Sequence, residues 1–332
     1  MVVGPGTVPD QVPVSPDSAE GALPGKAIEG RSLSQIAWRR LKRDRVALAG
    51  ATVIILLVLV AILAPLITKL LGSPPDEFHQ DLIDASTQQP KGTFGGMSRD
   101  HLLGIEPLNG RDILSRIVYG ARISLLIAFA ATLLSVSIGV TLGVIAGYFG
   151  GWADAIISRA MDAFLAFPLL VFAIALVGVI PESAFGLSGL TLRVVMLIFV
   201  IGFFAWPYIG RIVRGQALSL REREFIDAAR SIGARGPRIV FKEMLPNLVA
   251  PILIYATLLI PTNIIFEASL SFLGVGIRPP TPSWGGMLAD AARFYTLWHF
   301  IFFPGMAIFI TVLAFNLFGD GLRDALDPKG RR

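Results

Sequence analysis

Cysteine is absent from the sequence and histidine is scarce, which removes several kinds of site. A chain without cysteine forms no disulfide and offers no thiolate to a metal ion. The three histidines, His79, His101 and His299, are scattered along the chain and do not have metal-ligand spacing. We therefore expect no metal site, and the lack of cysteine says little about the compartment.

Charged residues are also few, while hydrophobic residues are many. They make up 16% and 54% of the chain, respectively, whereas soluble globular proteins carry about 25% charged residues. The chain is therefore expected to lie mostly in a lipid bilayer. A net charge of +5 would also suit a nucleic-acid-binding protein. The basic residues, however, concentrate beside the apolar runs, where they set membrane topology.

Motifs for catalysis are missing as well. The sequence has no G-x-x-x-x-G-K-[ST] loop, the phosphate cradle that ATP hydrolysis needs. A membrane enzyme would need histidine, aspartate, serine or glutamate residues that converge at one membrane face, and the sequence shows no such cluster. We predict that the chain is not an enzyme, has no catalytic residues and binds no cofactor of its own.

Six apolar runs are long enough to cross a bilayer. About 20 helical residues span the hydrocarbon core, and the alternating pattern of a membrane strand is absent from the sequence. The sequence therefore predicts an all-α membrane protein with six transmembrane helices, at residues 46–67, 122–147, 155–180, 190–213, 248–273 and 299–319.

The charges of the connecting segments predict the side of the membrane on which each one lies. Five basic residues fall within 39–45, just before the first run, and segment 214–247 holds seven basic and four acidic residues. Segment 72–120 has the reverse balance, with seven acidic and four basic residues. Because loops rich in Lys and Arg stay in the cytoplasm, both termini are predicted to be cytoplasmic. A DNA-binding arm is the competing interpretation of the 39–45 cluster.

The same patterns divide the chain into five parts. Residues 1–30 are rich in proline, glycine, serine and valine, without periodicity and without the apolar stretch of a signal peptide. The predicted parts are a disordered cytoplasmic tail 1–30, a basic segment with the first transmembrane helix 31–71, an extracytoplasmic connection 72–120, a five-helix transmembrane domain 121–320 and a cytoplasmic tail 321–332.

One long charged segment, residues 221–246, interrupts the apolar runs and must lie in water at one membrane face. Its apolar residues recur at helical spacing, at Phe225, Ile226, Ala229 and Ile232. Gly233 follows them and fits the left-handed cap of a helix, and Gly236-Pro237 restarts a helix that leads into the fifth span. A helix that lies on the membrane surface is one interpretation, and the docking of a soluble partner is the other.

The residue order of this segment resembles the EAA loop of ABC importer permeases, E-A-A-x3-G-x9-I-x-L-P. The matching positions are Ala228, Ala229, Gly233, Leu245 and Pro246. Asp227 replaces the usual Glu, and Glu243 replaces the usual Ile. Further blocks, among them WRRLKRDRVALAG, FEASLSFLGVG and PPTPSWGGMLADA, are similar to the C-type permeases of dipeptide and oligopeptide importers. The block HLLGIEPLNGRD departs from that pattern, because a Thr-Asp pair usually follows its first glycine.

The resemblance implies a type I ABC importer permease fold in a bacterial inner membrane. The implied function is that of a permease subunit of an ATP-driven importer of di- or oligopeptides, or of glutathione, nickel chelates or haem. The implied partners are a paralogous permease, cytoplasmic ABC ATPase subunits that bind ATP and magnesium, and an extracytoplasmic binding protein. A self-sufficient secondary transporter or channel is the competing class, which would favour inverted repeats, broken helices or ionisable groups at mid-membrane.

The resemblance also implies that 221–246 couples the ATPase to the spans. Phe225, Ile226 and Ala229 are expected to enter a groove of the ATPase. Charged neighbours are expected to pair at the rim of that groove, namely Glu222, Arg223 and Arg230. The full set of implied coupling residues is Glu222, Arg223, Phe225, Ile226, Asp227, Ala228, Ala229, Arg230, Gly233, Leu245 and Pro246.

Polar residues inside the predicted spans have two interpretations. Asn263 and Glu267 lie in the fifth span, where an ionisable group is costly unless it faces protein or water. Each either lines the translocation path or its outer gate, or hydrogen-bonds between helices. Arg159 and Asp162, three residues apart, are expected to pair. The outer segment 284–298 is expected to form either an interfacial helix or a plain surface loop.

Overall fold

The structure, a computed structural model, describes residues 33–179, 181 and 183–327. The predicted tail 1–30 and the last five residues of the predicted tail 321–332 lie outside the described residues. Within these ranges the chain is mainly helical, as the sequence predicts.

The described helices follow one another as α1 (Leu33–Leu41), α2 (Arg45–Leu71), α3 (Ile113–Phe149), α4 (Gly151–Ala166), α5 (Leu169–Val179), α6 (Gly189–Arg221), α7 (Glu224–Ser231), α8 (Gly236–Arg238), α9 (Leu245–Phe272), α10 (Trp284–Ala292) and α11 (Trp298–Leu326). A π-helical turn, Ile239–Met244, joins α8 to α9. Two short antiparallel strands, β1 (Ser183–Ala184) and β2 (Leu187–Ser188), lie between α5 and α6. Single 3-10 turns occur at Gln80–Leu82 and Thr93–Gly95.

Five helical units in the described part of the chain are long and apolar enough to cross a membrane. They are α2, α3, α6, α11 and the continuous unit Gly236–Phe272, which contains α8, the π turn and α9. Four of them contain a predicted span whole, and Gly236–Phe272 ends one residue short of the predicted span 248–273. Five of the six spans are thus confirmed as continuous helices. The observed helices are longer than the apolar runs because polar turns extend them at their ends.

The predicted span over 155–180 is present as a broken helix rather than a continuous one. α4 and α5 are bent by 80° relative to each other at a short break. Pro168 explains this break, because proline lacks a backbone N–H and excludes the preceding residue from the helical region. Phe167 accordingly has an extended ψ of 132°. The bent pair makes a sixth span only if its two halves are counted together.

The centre of the bundle is the long contact between α3 and α6. Glycines on α3 bring the two backbones close together: a Cβ atom on Gly143 would lie 2.6 Å from the carbonyl oxygen of Gly210. Ser135 Oγ also donates to the carbonyl oxygen of Gly202 at 2.8 Å. Small residues permit such close helix packing in membranes, where hydrophobicity alone does not bring helices together.

The segment before α3 packs onto that helix instead of forming a loose loop. Asp112 caps α3 by accepting a hydrogen bond from the backbone N of Ser115 at 2.7 Å, and its other oxygen lies 3.0 Å from His101 Nδ1. Ser115 Oγ donates to the carbonyl oxygen of Ser73 at 2.5 Å. The connection between α2 and α3 is therefore fixed to the bundle at several points.

The outer segment 284–298 contains the helix α10 and is therefore not a plain surface loop, while its place at a membrane interface stays a prediction. Trp284 is buried, and its Nε1 donates to the carbonyl oxygen of Ile117 at 3.0 Å. This contact fastens α10 to α3, whereas Tyr295 beyond the helix is exposed. Of these two aromatic side chains, only that of Tyr295 is available to a membrane surface.

The two ends of the described chain meet on one side of the bundle. Arg40 Nη1, on α1, donates to the carbonyl oxygen of Asp327, just beyond α11, at 2.8 Å. Leu41, Ala47 and Ala325 form a small apolar cluster beside this contact. The ends of the described chain thus lie together, next to the 39–45 basic cluster.

Candidate functional site

The EAA-like segment folds as a short helix, α7, followed by a glycine turn. Gly233 has φ of +79°, and the backbone N of Ala234 donates to the carbonyl oxygen of Ala229 at 3.0 Å. This bond spans five residues, as in a Schellman cap. The predicted left-handed glycine cap is confirmed. A side chain with a Cβ atom would strain this backbone conformation.

One face of α7 is buried against this chain's own helices. Ile226 is fully buried and Ala229 is 7% exposed, and both pack with Ala217 of α6 and with Ile239 and Met244 of the π turn. The expectation that Ile226 and Ala229 enter a groove of a partner is therefore wrong. Their contacts are satisfied within the chain, because the turn at Gly233 folds the following segment back onto α7.

A second, narrow apolar stripe on α7 faces outwards. Phe225 is 40% exposed and Ile232 is 79% exposed, and exposed Ala228 lies between them in the sequence. The spacing i, i+3 and i+7 places these three residues on one helix face. We call Phe225 and Ala228, together with Ile232 at the C-cap directly after the helix, the outer stripe of α7. Sequence reasoning did not assign Ile232 to the coupling set, although its distance of seven residues from Phe225 is a usable signal.

Exposed charges surround the outer stripe. Arg230 Nη1 donates to Asp227 at 3.0 Å, and Arg221 Nε donates to Glu222 at 3.2 Å. The side chain of Arg223 is exposed at the N-cap position. Exposed pairs of this kind add little to the stability of the fold, so their loss would cost the fold little.

The second half of the segment continues directly into a span. Proline at the start of α8 fits a first helical turn, and the π turn then leads to Leu245 and Pro246 at the start of α9. Glu243, which replaces the usual Ile, is half-buried, and its carbonyl oxygen accepts from Asn247 Nδ2 at 2.6 Å. The second short helix predicted in 221–246 is therefore continuous with the helix of the fifth span.

Asn263 and Glu267 both lie inside the bundle. Asn263 Nδ2 donates to Thr132 Oγ1 at 2.8 Å and so joins α9 to α3. Glu267 Oε1 accepts from Ser271 Oγ at 2.7 Å, and the same Oγ accepts from the backbone N of Ile277 at 3.2 Å. Within the described residues, the contacts of Asn263 correspond to the helix-joining alternative, and those of Glu267 fix the turn after α9.

The predicted pair between Arg159 and Asp162 is replaced by pairs between helices. Asp162 accepts from Arg211 Nη2 at 2.5 Å, and Asp154 forms a close bidentate pair with Arg214. Both pairs join α4 to α6. The sequence spacing suggested a local pair, whereas the break after α4 turns this helix so that its carboxylates face α6.

Buried charges on the other side of the bundle were missed by sequence reasoning. Glu106 lies between Arg111, at 2.8 Å, and Arg116, at 2.6 Å, and all three side chains are buried. Arg116 Nη1 also donates to the carbonyl oxygen of Pro280 at 3.1 Å. Burial raises the pKa of the Glu106 carboxyl, and the guanidinium groups of Arg116 and Arg111 oppose that shift. In the sequence, the only indication of this buried cluster is that acidic and basic residues both occur in the block EPLNGRDILSR.

Metal-ligating side chains do not gather in the described part of the chain. No group of three or more His, Asp or Glu residues there could hold a metal ion. The rings of His79 and His101 are in contact, with centroids 4.7 Å apart, and Asp112 is hydrogen-bonded to His101. These three side chains help to pack the connection between α2 and α3 onto α3.

Comparisons with known proteins give the family. The sequence model described as binding-protein-dependent transport system inner membrane component matches residues 139–332. The model for the N-terminal TM domain of oligopeptide transport permease C matches residues 32–90. Together the two matches cover most of the chain that follows the N-terminal tail.

Named relatives agree with these models over nearly the whole chain. The dipeptide transport system permease protein DppC of Alkalihalophilus pseudofirmus is 41% identical over 295 residues, which are 88% of this chain and 89% of the relative. The glutathione transport system permease protein GsiD of Pectobacterium atrosepticum is 42% identical over 293 residues, which are 88% of this chain and 90% of the relative.

A solved structure supports the fold. A chain of the MetNI methionine ABC transporter, in an inward-facing conformation, superposes with a TM-score of 0.52 at 21% identity, and the match covers 65% of this chain and 98% of that chain. The fold is that of a type I ABC importer permease. The chain is a multi-pass permease subunit and belongs to the family of binding-protein-dependent transport system inner membrane components.

Proposed function

We propose that this permease subunit forms, with a paralogous permease, the translocation path for short peptides delivered by an extracytoplasmic binding protein. The names of two relatives support this substrate class, because one moves dipeptides and the other moves glutathione, which is itself a tripeptide. Neither a nucleotide-binding loop nor a catalytic cluster occurs in the sequence. ATP and magnesium therefore belong to separate ATPase subunits.

The outer stripe of α7 is the proposed docking surface for the ATPase. The observation that carries this proposal is the exposure of Ile232 and Phe225 on a helix that is otherwise charged outside. Exposed apolar residues at helical spacing, surrounded by charges, suit a helix that lies in the groove of a partner. Glu222, Arg223 and Arg230 then pair at the rim of that groove.

The buried face of α7 gives the proposed route from the ATPase to the spans. Ile226 and Ala229 contact Ala217 of α6 and Met244 of the π turn, so a displacement of α7 moves both neighbouring helices. The helical unit from Gly236 to Phe272 is uninterrupted and is long and apolar enough to cross a membrane. Motion at the cytoplasmic side is therefore passed along α9. This route requires α7 to face the cytoplasm, as the Lys/Arg-rich loops predict.

Site-specific crosslinking tests the docking surface. A photo-activated crosslinking residue at Ile232 in the assembled transporter is expected to yield an adduct with the ATPase. The matched control places the same residue at Trp152, which is 78% exposed near the start of α4. Adducts from position 152 and none from position 232 would show that the docking surface lies elsewhere.

Transport measurements test the substrate class. The complete transporter, reconstituted with its binding protein, is expected to show ATPase activity that rises with dipeptides or glutathione, together with uptake of the same compound. An uptake of nickel chelates or haem without any uptake of peptides would overturn the substrate proposal. It would leave the docking surface untouched.

A further inference from the structure

A cavity of about 700 Å³ lies between α2, α3 and the segment 281–282, far along the chain from α7. Its volume is within the range of ligand-binding cavities in proteins. None of its lining residues belongs to the outer stripe of α7 or to the proposed route from the ATPase to the spans. Most of its walls come from α2 and α3, and Leu190 of α6 also lines it.

The walls of this cavity change from polar to apolar with depth. α3 rises about 1.5 Å per residue, so Tyr119 and Arg122 lie about 9 and 14 Å from its start at Ile113, and Phe129 lies about 24 Å from it. Asp76 and Thr281 line the cavity at the same end as Tyr119. The deeper wall is apolar and consists of Val58, Ala61, Ile62, Leu126 and Phe129.

Two opposite charges lie at the mouth of the cavity. The guanidinium group of Arg122 is 5.6 Å from the centre of the Tyr119 ring, and no carboxylate within the described ranges forms an ion pair with it. The Asp76 side chain is 54% exposed, and one of its oxygens lies 3.4 Å from Arg116 Nη1. The mouth thus offers a cation and a partly open carboxylate above an apolar wall.

We propose that this cavity binds a phospholipid whose headgroup carries an amine, such as phosphatidylethanolamine. Arg122 pairs with the phosphate, Asp76 accepts from the ammonium group, and an acyl chain lies along Ile62, Leu126 and Phe129. The opposite charges match a zwitterionic headgroup, and the polar-to-apolar order matches the headgroup and tail of a lipid. The lipid belongs to the leaflet next to the connection between α2 and α3.

Native mass spectrometry of the purified transporter tests this site. Phosphatidylethanolamine and phosphatidylglycerol are added in equal amounts, and the lipid that remains bound is identified. The wild type is expected to retain phosphatidylethanolamine in preference to phosphatidylglycerol. Arg122→Gln is expected to lower the retention of both lipids about fivefold, as expected for the loss of one interfacial cation. Asp76→Asn is expected to remove the preference for phosphatidylethanolamine.

Matched controls separate the site from general charge effects. Arg99→Gln and Asp81→Asn change exposed charges of the same connection that do not line the cavity, and both are expected to retain lipid as the wild type does. Ile62→Trp fills the apolar part without altering charge, and it is expected to lower retention of both lipids. Thermal unfolding of each variant shows whether the permease remains folded.

Two results would overturn the proposal. One is equal retention of both lipids by the wild type and by the Asp76→Asn and Arg122→Gln variants. The other is an efficient crosslink from Ile62→Cys to the second permease in native membranes, which would show that a protein helix fills the cavity.

Discussion

The connection between α2 and α3 and the segment around α7 place their charges in opposite ways. In the connection, Glu106 and Arg111 are buried together with Arg116 of the adjoining α3. Around α7 the interior is apolar, with Ile226 at its centre, and the pairs of Asp227 and Glu222 are exposed. One region thus keeps its charges buried within the fold, and the other keeps them exposed on its surface.

The difference has a physical cause. A buried ion pair is costly to desolvate and very costly to break, so it holds one arrangement of its neighbours. An exposed pair is weak and exchanges readily. The connection is therefore suited to remain in one conformation, whereas the surface of α7 is suited to form and re-form contacts. The following four predictions test this contrast.

Glu106→Ala is expected to have the largest effect. It leaves Arg111 and Arg116 buried without their carboxylate, which costs about 4 kcal/mol of folding free energy. The thermal unfolding of the purified permease measures this loss. Glu77→Ala, which removes an exposed carboxylate of the same connection, is the control and should unfold like the wild type. Equal unfolding of the Glu106→Ala variant would mean that the buried pairs do not hold the connection.

Ile226→Ala is expected to loosen α7 through its buried face. The removal of a fully buried side chain leaves a cavity and costs about 3 kcal/mol. Because α7 is small, the loss should appear as faster proteolysis within 221–246 in the folded permease. If the cleavage rate is unchanged, the packing of α7 onto α6 does not fix its position.

Phe225→Ala is expected to leave folding intact and to weaken the ATPase contact. Phe225 neighbours Ile226 in the sequence but points outwards, and loss of an aromatic anchor at an interface should weaken binding about tenfold. Co-purification of the ATPase and peptide-stimulated ATP hydrolysis measure this effect. Equal effects of Phe225→Ala and Ile226→Ala on proteolysis would remove the distinction between the two faces.

Acid in the range from pH 3.8 down to about 2 is expected to loosen one turn of the connection slightly. Hydrogen bonds from Ser86 and Thr87 lower the pKa of Asp84 from 3.8 to about 2. Since the folded-state value lies below the unfolded one, the stabilisation is present above the unfolded value and is lost as the pH falls towards about 2. Amide hydrogen exchange at Ser86 and Thr87 measures the loss. The Asp84→Asn variant should show no such dependence on pH.

The sequence predicted the membrane class, five continuous spans and the glycine cap at Gly233. These features depend on composition and on local patterns, namely the length of apolar runs and the fit of glycine to a left-handed backbone. The family resemblance, carried by ordered blocks of residues, added the fold and the function.

Features that depend on tertiary packing could not be predicted from local patterns. Ile226 and Phe225 both belong to the apolar set of α7, and only the folded chain shows which one is covered. The partners of Asp162 and Arg116 lie on other helices or segments, 49 residues away in the case of Asp162. Pro168 is itself a local signal for the break. The apolar run around it is long enough to predict a single span, and the prediction followed the run.

The close approach of α3 and α6 restricts how this permease changes shape. Where the backbone at Gly143 lies against that of Gly210, no side chain separates the helices, and the small residues interlock along several turns. We therefore expect α3 and α6 to move together as one rigid unit. Relative movement during a transport cycle is then expected at the borders of this unit, for example at the 80° bend between α4 and α5.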